Sequence, residues 1–250
     1  MASRFDHPPT HRDLSSATLA WFLSLPWCTL GAYELDLAGG WKADPRHSGS
    51  GRADVLAISS PSLEHGNQVR LEQHQRAQRQ HQAAVAQLPG FQPREQEGPR
   101  LHRPRIAVCE VKRTRSDLLA DLRERKLLRY GEVATHLYLA ATDEALGIKP
   151  GDRPTRERTD QVLRELAELG LPKSWGVLRL TVWERKAHRD LPDVPAPGWH
   201  VQVDPLRAPG RQLEDAPAAA RAYWQERIAR SLLYRTMGGS LPDHLVDSAA

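Results

Sequence analysis

Residues 105–113 read RIAVCEVKR, and the fold turns on how this stretch is understood. IAVCEVK (106–112) predicts a strand, and Ile106 to Val111 has the length and apolar density of a buried one. Yet Glu110 stands inside it, and Lys112 follows two places on. Burying either charge is costly unless a partner compensates it. Side chains two apart in a strand project from the same face, so positions 110 and 112 present their charges together. They do so at the strand's C-terminal end, where side chains emerge from a sheet into a crevice.

Working outward, SDLLADLRERKLLRYGEV (116–133) predicts a helix with Leu118, Leu119, Leu122, Leu127 and Leu128 on one side and Ser116 as N-cap. THLYLAA (135–141) predicts a strand, 155–169 a charged amphipathic helix ending at Gly170, and WGVLRLTVW (175–183) a further strand. Upstream, LSSATLAWFLSL (14–25) has helical spacing limited by Pro26. GAYELDL (31–37) alternates as a strand does, and RADVLAIS (52–59) is a second strand. The order α-β-β-β-α-β predicts an α/β domain with a central mixed sheet flanked by helices. Residues 62–104, rich in Gln, His and Arg with thin apolar periodicity, predict an inserted exposed helix and an irregular return. Beyond residue 190 the chain is Pro-rich and then predicts a helix over 216–237. The expected division is a core over 1–190, interrupted at 62–104, and an extension over 191–250.

A length of 250 residues suits one good-sized domain, and 40% hydrophobic with 26% charged residues is a globular balance. No apolar run approaches the roughly 20 residues of a membrane span. The start, MASRFDHPPTHRD, lacks the apolar core of a secretory signal, so a cytoplasmic protein without a membrane partner is expected. Cys28 and Cys109 lie in apolar surroundings and read as buried thiols. Zinc spacings, a Gly-rich phosphate loop, a GxSxG elbow and HExxH are all absent from the sequence. The net charge of +4 is carried mostly by arginine, whose planar fork suits phosphate.

The ExK pattern occurs three times, at Glu110–Lys112, Glu124–Lys126 and Glu184–Lys186. The second falls in a predicted helix, where residues two apart face different ways. The third has Arg185 between its members and reads as a solvated strand end. Only the first has an apolar centre behind an apolar strand. Asp54 in RADVLAIS and Glu34 in GAYELDL are likewise set among apolar residues. Three carboxylates and a lysine so placed suggest a convergent site with hard oxygen ligands for Mg²⁺ or Mn²⁺. Such an ion lowers the pKa of a bound water and neutralises charge on a phosphate. The lysine adds a point charge for the attacking hydroxide or the transition state.

In this order, RADVLAIS, VCEVKRTRSDLLADLRERKLLRY, THLYLAA and LPKSWGVLRL resemble the PD-(D/E)XK nuclease superfamily. Within it the chain is similar to the small MmcB-like DNA repair proteins over about residues 31–60 and 105–180. The resemblance implies a restriction-endonuclease-like αβββαβ core and metal-dependent phosphodiester cleavage leaving a 5′-phosphate and a 3′-hydroxyl. Asp54 and Glu110 would then be metal ligands, aided by the Val111 carbonyl. Glu34 would be a supporting ligand or water contact, and Lys112 the catalytic lysine. The family's short members lack the 62–104 segment, and the last 60 or so residues have no counterpart in them.

Arg113, Arg115, Lys126 and Arg129 either touch DNA phosphates or form a charged helix face with Asp117, Asp121 and Glu124. Arg113 and Arg115 are closest to Lys112, while Lys126 and Tyr130 read more readily as helix-to-sheet packing. Arg52 precedes Asp54 and joins the candidate DNA contacts, as does Trp41 in GGWKAD. Trp21, Trp27, Trp183 and Trp224 read as core. The spacing of His65, His74 and His81 fits no compact ligand set. The insertion and the apolar Leu232, Leu233 and Tyr234 suggest a protein partner or a homodimer. The expectation is a Mg²⁺- or Mn²⁺-dependent deoxyribonuclease of DNA repair, recombination or mobile-element defence. The alternative is a non-catalytic DNA-binding or assembly module.

Overall fold

The computed structural model describes residues 2–36, 52–59, 62–85, 105–123, 130, 134–149, 152, 155–185, 197–211, 224–226, 228 and 229. In chain order the elements are β1 (Ala2–Phe5), α1 (His11–Leu23), β2 (Cys28–Asp36), β3 (Arg52–Ser59), α2 (Ser62–Val85) and β4 (Ile106–Lys112). They continue with α3 (Arg115–Arg123), β5 (His136–Thr142), α4 (Asp143–Leu146), α5 (Arg156–Glu168), β6 (Gly176–Arg185) and β7 (Gly198–Arg207). The strands form one seven-stranded mixed sheet in the order β1-β7-β6-β5-β4-β3-β2. β2, β3 and β4 run as an antiparallel meander, β5 and β6 lie parallel to β4, and β7 and β1 close the far side antiparallel.

The apolar density of the central strands follows from burial on both faces. On one face Ile106, Val108, Leu137, Leu139 and Val177 pack with Leu118 of α3 and with Val162 and Leu166 of α5. On the other, Ala107, Cys109, Val111, Leu178 and Leu180 pack against Leu14, Ala17 and Phe22 of α1. Both cysteines are buried and free. No described helix is long and apolar enough to cross a membrane.

Several boundaries differ from the sequence reading for identifiable reasons. α1 starts at His11 rather than 14, because Thr10 and Asp13 form a reciprocal capping box. At α3 the Asp117 amide donates to Thr114 Oγ1 at 3.3 Å, so Thr114 caps the first turn in place of Ser116. β1 and β7 went unread. The stretch that becomes β7, WHVQVDPLR, is surrounded by prolines that mask its alternation, and Pro205 itself lies within it. β1 pairs only with residues 199–202, so Pro205 sits past the stretch β1 covers, an edge position where proline is tolerated. Part of the segment after 190 therefore completes the sheet, and Trp224 and Ile228 are buried in the first core.

The expected inserted helix is present as α2, whose described side chains are mostly exposed. It leaves from the end of β3 beyond Ile58, which pairs with Ile106. Asp54 and Lys112 lie toward the opposite end of the same two strands. The helix thus starts from the strand end away from the Asp54–Glu110 pair.

α1 sits so close to β2 that Gly31 has no room for a side chain. A Cβ there would come within 2.5 Å of Leu19 Cδ1 and 2.9 Å of the Leu56 carbonyl oxygen. The leucine could turn aside, but the carbonyl is backbone. Gly31→Ala is expected to lower stability by about 2 kcal/mol, the range of an overpacked core, read as a shift of the urea midpoint at unchanged slope.

Candidate active site

The β3–β4 register pairs Val55 with Cys109. One step further brings Asp54 level with Glu110. There the regular ladder stops, because the Val111 amide donates to Asp54 Oδ2 at 2.7 Å. In a strand the N–H and C=O of one residue point to the same side, so the Val111 carbonyl also faces β3. Asp54 Oδ1 lies 3.0 Å from Nε2 of His11, the first residue of α1. Lys112 Nζ donates to Glu110 Oε2 at 3.1 Å and is also paired with Asp121 Oδ2 of α3. Tyr130 borders the Glu110 carboxylate. Glu110 Oε1 is buried without a hydrogen-bond partner.

Burial raises the Glu110 pKa to about 7, and the negative charge of Asp54 adds to the effect. Burial also opposes ionisation of Asp54, but hydrogen bonds from His11 and the Val111 amide outweigh it and hold this carboxyl below its ordinary value. The Asp54 hydrogen bond raises the His11 pKa against the effect of burial. For Lys112, burial is outweighed by Glu110 and Asp121, which keep the ammonium charged well above the ordinary lysine range. Burial, followed by Glu110, pushes Tyr130 upward. Two adjacent carboxyls are thus driven apart, one firmly ionised and one near neutrality, beside a locked cation.

Of the residues singled out from sequence, Asp54, Glu110, Val111 and Lys112 are brought together. Glu34 lies level with Asp54 by the register of its neighbours, Tyr33 with Val55 and Leu35 with Ala53. Its φ of 55° is the one positive value among described non-glycine residues. Such a conformation costs roughly 1–3 kcal/mol. The Glu34 carboxylate lies in the field of Arg12 on α1. Among the described residues no group of three or more His, Cys, Asp and Glu is arranged to hold a metal ion.

Arg113 is exposed beside the site. The Arg115 guanidinium instead donates to the Ala145 carbonyl at 3.1 Å and lies 4.0 Å from Glu165. This tertiary pairing competes with a role at phosphate. Trp41, Lys126 and Arg129, like Leu232 to Tyr234, lie outside the described residues, and of Arg52 only the backbone is described.

Sequence reasoning missed His11 and gave Asp121 and Tyr130 no part in the site. The signal for His11 was the Thr-x-x-Asp capping box, which would have started the helix three residues earlier. For Asp121 the signal was its place three residues after buried Leu118, on the apolar side of α3. Comparison with protein-family models, curated proteins and solved structures finds nothing that matches this chain.

Two outcomes follow from these charges. In the unfolded chain Glu110 gives up its proton near 4.5, in the native protein near 7. Native stability is therefore undiminished below about 4.5 and falls as pH rises to 7, by on the order of 3 kcal/mol. Glu110→Gln, measured in EDTA, should melt above the wild type at pH 8 and lose that advantage at pH 5. Lys112→Met leaves two buried carboxylates without their cation and should cost about 3–5 kcal/mol. Adding Asp121→Asn should return part of that loss, as a double-mutant cycle by urea unfolding would read.

Proposed function

We propose that the protein is a metal-dependent deoxyribonuclease of the PD-(D/E)XK type. The observation that carries this reading is the joining of Asp54, Glu110 and Lys112 at one end of β3 and β4, with Glu110 Oε1 buried and unpartnered. The element order α1-β2-β3-β4-α3-β5, with α2 inserted between β3 and β4, supports a restriction-endonuclease-like core.

The residues present fit a divalent cation. An ionised carboxylate, a second carboxylate with an unsatisfied buried oxygen and a backbone carbonyl facing the same gap make a hard oxygen set. Asp54, Glu110 and the Val111 carbonyl would hold Mg²⁺ or Mn²⁺. When bound, such an ion supplies an acidified water and offsets charge developing on a phosphate.

The chain's own groups do the rest. His11 and the Val111 amide keep Asp54 ionised and oriented. Glu110 and Asp121 hold Lys112 charged, and two of its three N–H donors are thereby used. The third has no partner among the described residues and would reach the attacking water or a non-bridging phosphate oxygen, where a fixed positive charge favours the transition state. Water attacks phosphorus in line, the 3′ oxygen departs, and a 5′-phosphate and a 3′-hydroxyl remain. Arg113, exposed next to the lysine, is the candidate for an adjacent backbone phosphate.

Cleavage of a labelled panel of single-stranded, duplex, flapped and branched DNA with Mg²⁺ or Mn²⁺ tests the reading. Wild type should cut, and Asp54→Asn and Lys112→Met should each lose about 10²-fold or more in rate while keeping DNA binding. Tight DNA binding without cutting in either metal would overturn the nuclease and leave the DNA-binding module. Independently of activity, Mg²⁺ or Mn²⁺ should raise the melting temperature of the wild type at pH 8, and of Asp54→Asn much less.

A further inference from the structure

We infer that His11 is a positioning residue for Asp54, holding one oxygen of this carboxylate from the opposite layer of the fold. The inference rests on the nuclease reading above and extends it to a residue far from the strands that carry its charges.

Asp54 is held at both oxygens, Oδ2 by the Val111 amide at 2.7 Å and Oδ1 by His11 Nε2 at 3.0 Å. An ionised carboxylate can only accept, so the imidazole Nε2 carries the hydrogen. Each oxygen has two lone-pair directions, and one donor apiece leaves one on each for a cation. A carboxylate with a single donor could turn about its Cβ–Cγ bond. One with a donor on each oxygen has its plane set before any ligand arrives, which is what outer partners of metal-binding carboxylates do.

The placement of His11 is itself over-determined. The Thr10–Asp13 capping box fixes the first turn of α1. Before it, Pro8 and Pro9 stiffen the lead from β1, which is paired along β7. Behind it, the close approach of α1 to Gly31 leaves the helix little freedom to slide. Packing does not explain the side chain, since the imidazole is 44% exposed. Among the described residues its one short side-chain polar contact is Asp54.

The test is calorimetric titration of the full chain with Mn²⁺, and separately with Mg²⁺, in the absence of DNA. Wild type is compared with His11→Leu, which removes the donor, and His11→Gln, whose amide N–H can replace it. Leucine should weaken the dissociation constant about 10- to 100-fold, while glutamine stays within about threefold of wild type, the range for loss and retention of an outer-shell partner. Melting in EDTA checks that each variant is folded. If leucine at this position does not fold, His11→Asn serves instead, since asparagine is tolerated at a helix start and its amide is too short to reach Asp54. Equal or tighter metal binding by a folded leucine or asparagine variant overturns the inference, because the imidazole then competes for Asp54 rather than supporting it. A wild type that binds neither metal brings down the cation site, and the role of His11 with it. Normal wild-type binding with no effect at position 11 brings down only the latter.

Discussion

The Val111 amide bonded to Asp54 Oδ2 is the interaction on which the site depends. It ends the regular ladder between β3 and β4 and turns the Asp54 carboxylate toward β4, level with Glu110. A backbone donor is spent on a side chain, and the two strands no longer pair where the charges sit. Everything else at the site responds to the charge concentrated there. Lys112 answers Glu110, Asp121 answers Lys112, and His11 answers Asp54.

These responses come from both layers of helices. α1 brings His11 from one face of the sheet, and α3 brings Asp121 from the other. A buried network of this kind is costly unless every member is satisfied. Glu110 Oε1 is the member left over. Its carboxyl sits near neutrality because burial and Asp54 act together against its charge. The same atom that makes the site expensive is the one that a cation would satisfy, and the two readings of Glu110, destabilising alone and useful when liganded, have one cause.

Position along the strands separates function from elaboration. The meander β2-β3-β4 carries the charges at one end, while α2 departs from the other. An insertion at that end leaves the Asp54–Glu110 register intact whatever its length. The late strand β7 extends the sheet on the side away from β3, and Trp224 and Ile228 add to its first core.

The central strands were legible because burial on both faces demands unbroken apolar runs, and β3 and β4 came out with the predicted bounds of 52–59 and 106–112. Glu110 and Lys112 stood out for the same reason, as charges that an apolar strand has no cause to hold. β7 was hidden, since its pairing with β6 rather than its own composition makes it a strand. His11 and Asp121 were hidden because a polar residue on a helix is ordinary until a partner elsewhere in the chain is known. Local sequence thus determined the strands and which of them carry charge. Which charges meet was decided by register and by the packing of α1 and α3, which depend on contacts between residues far apart in the chain.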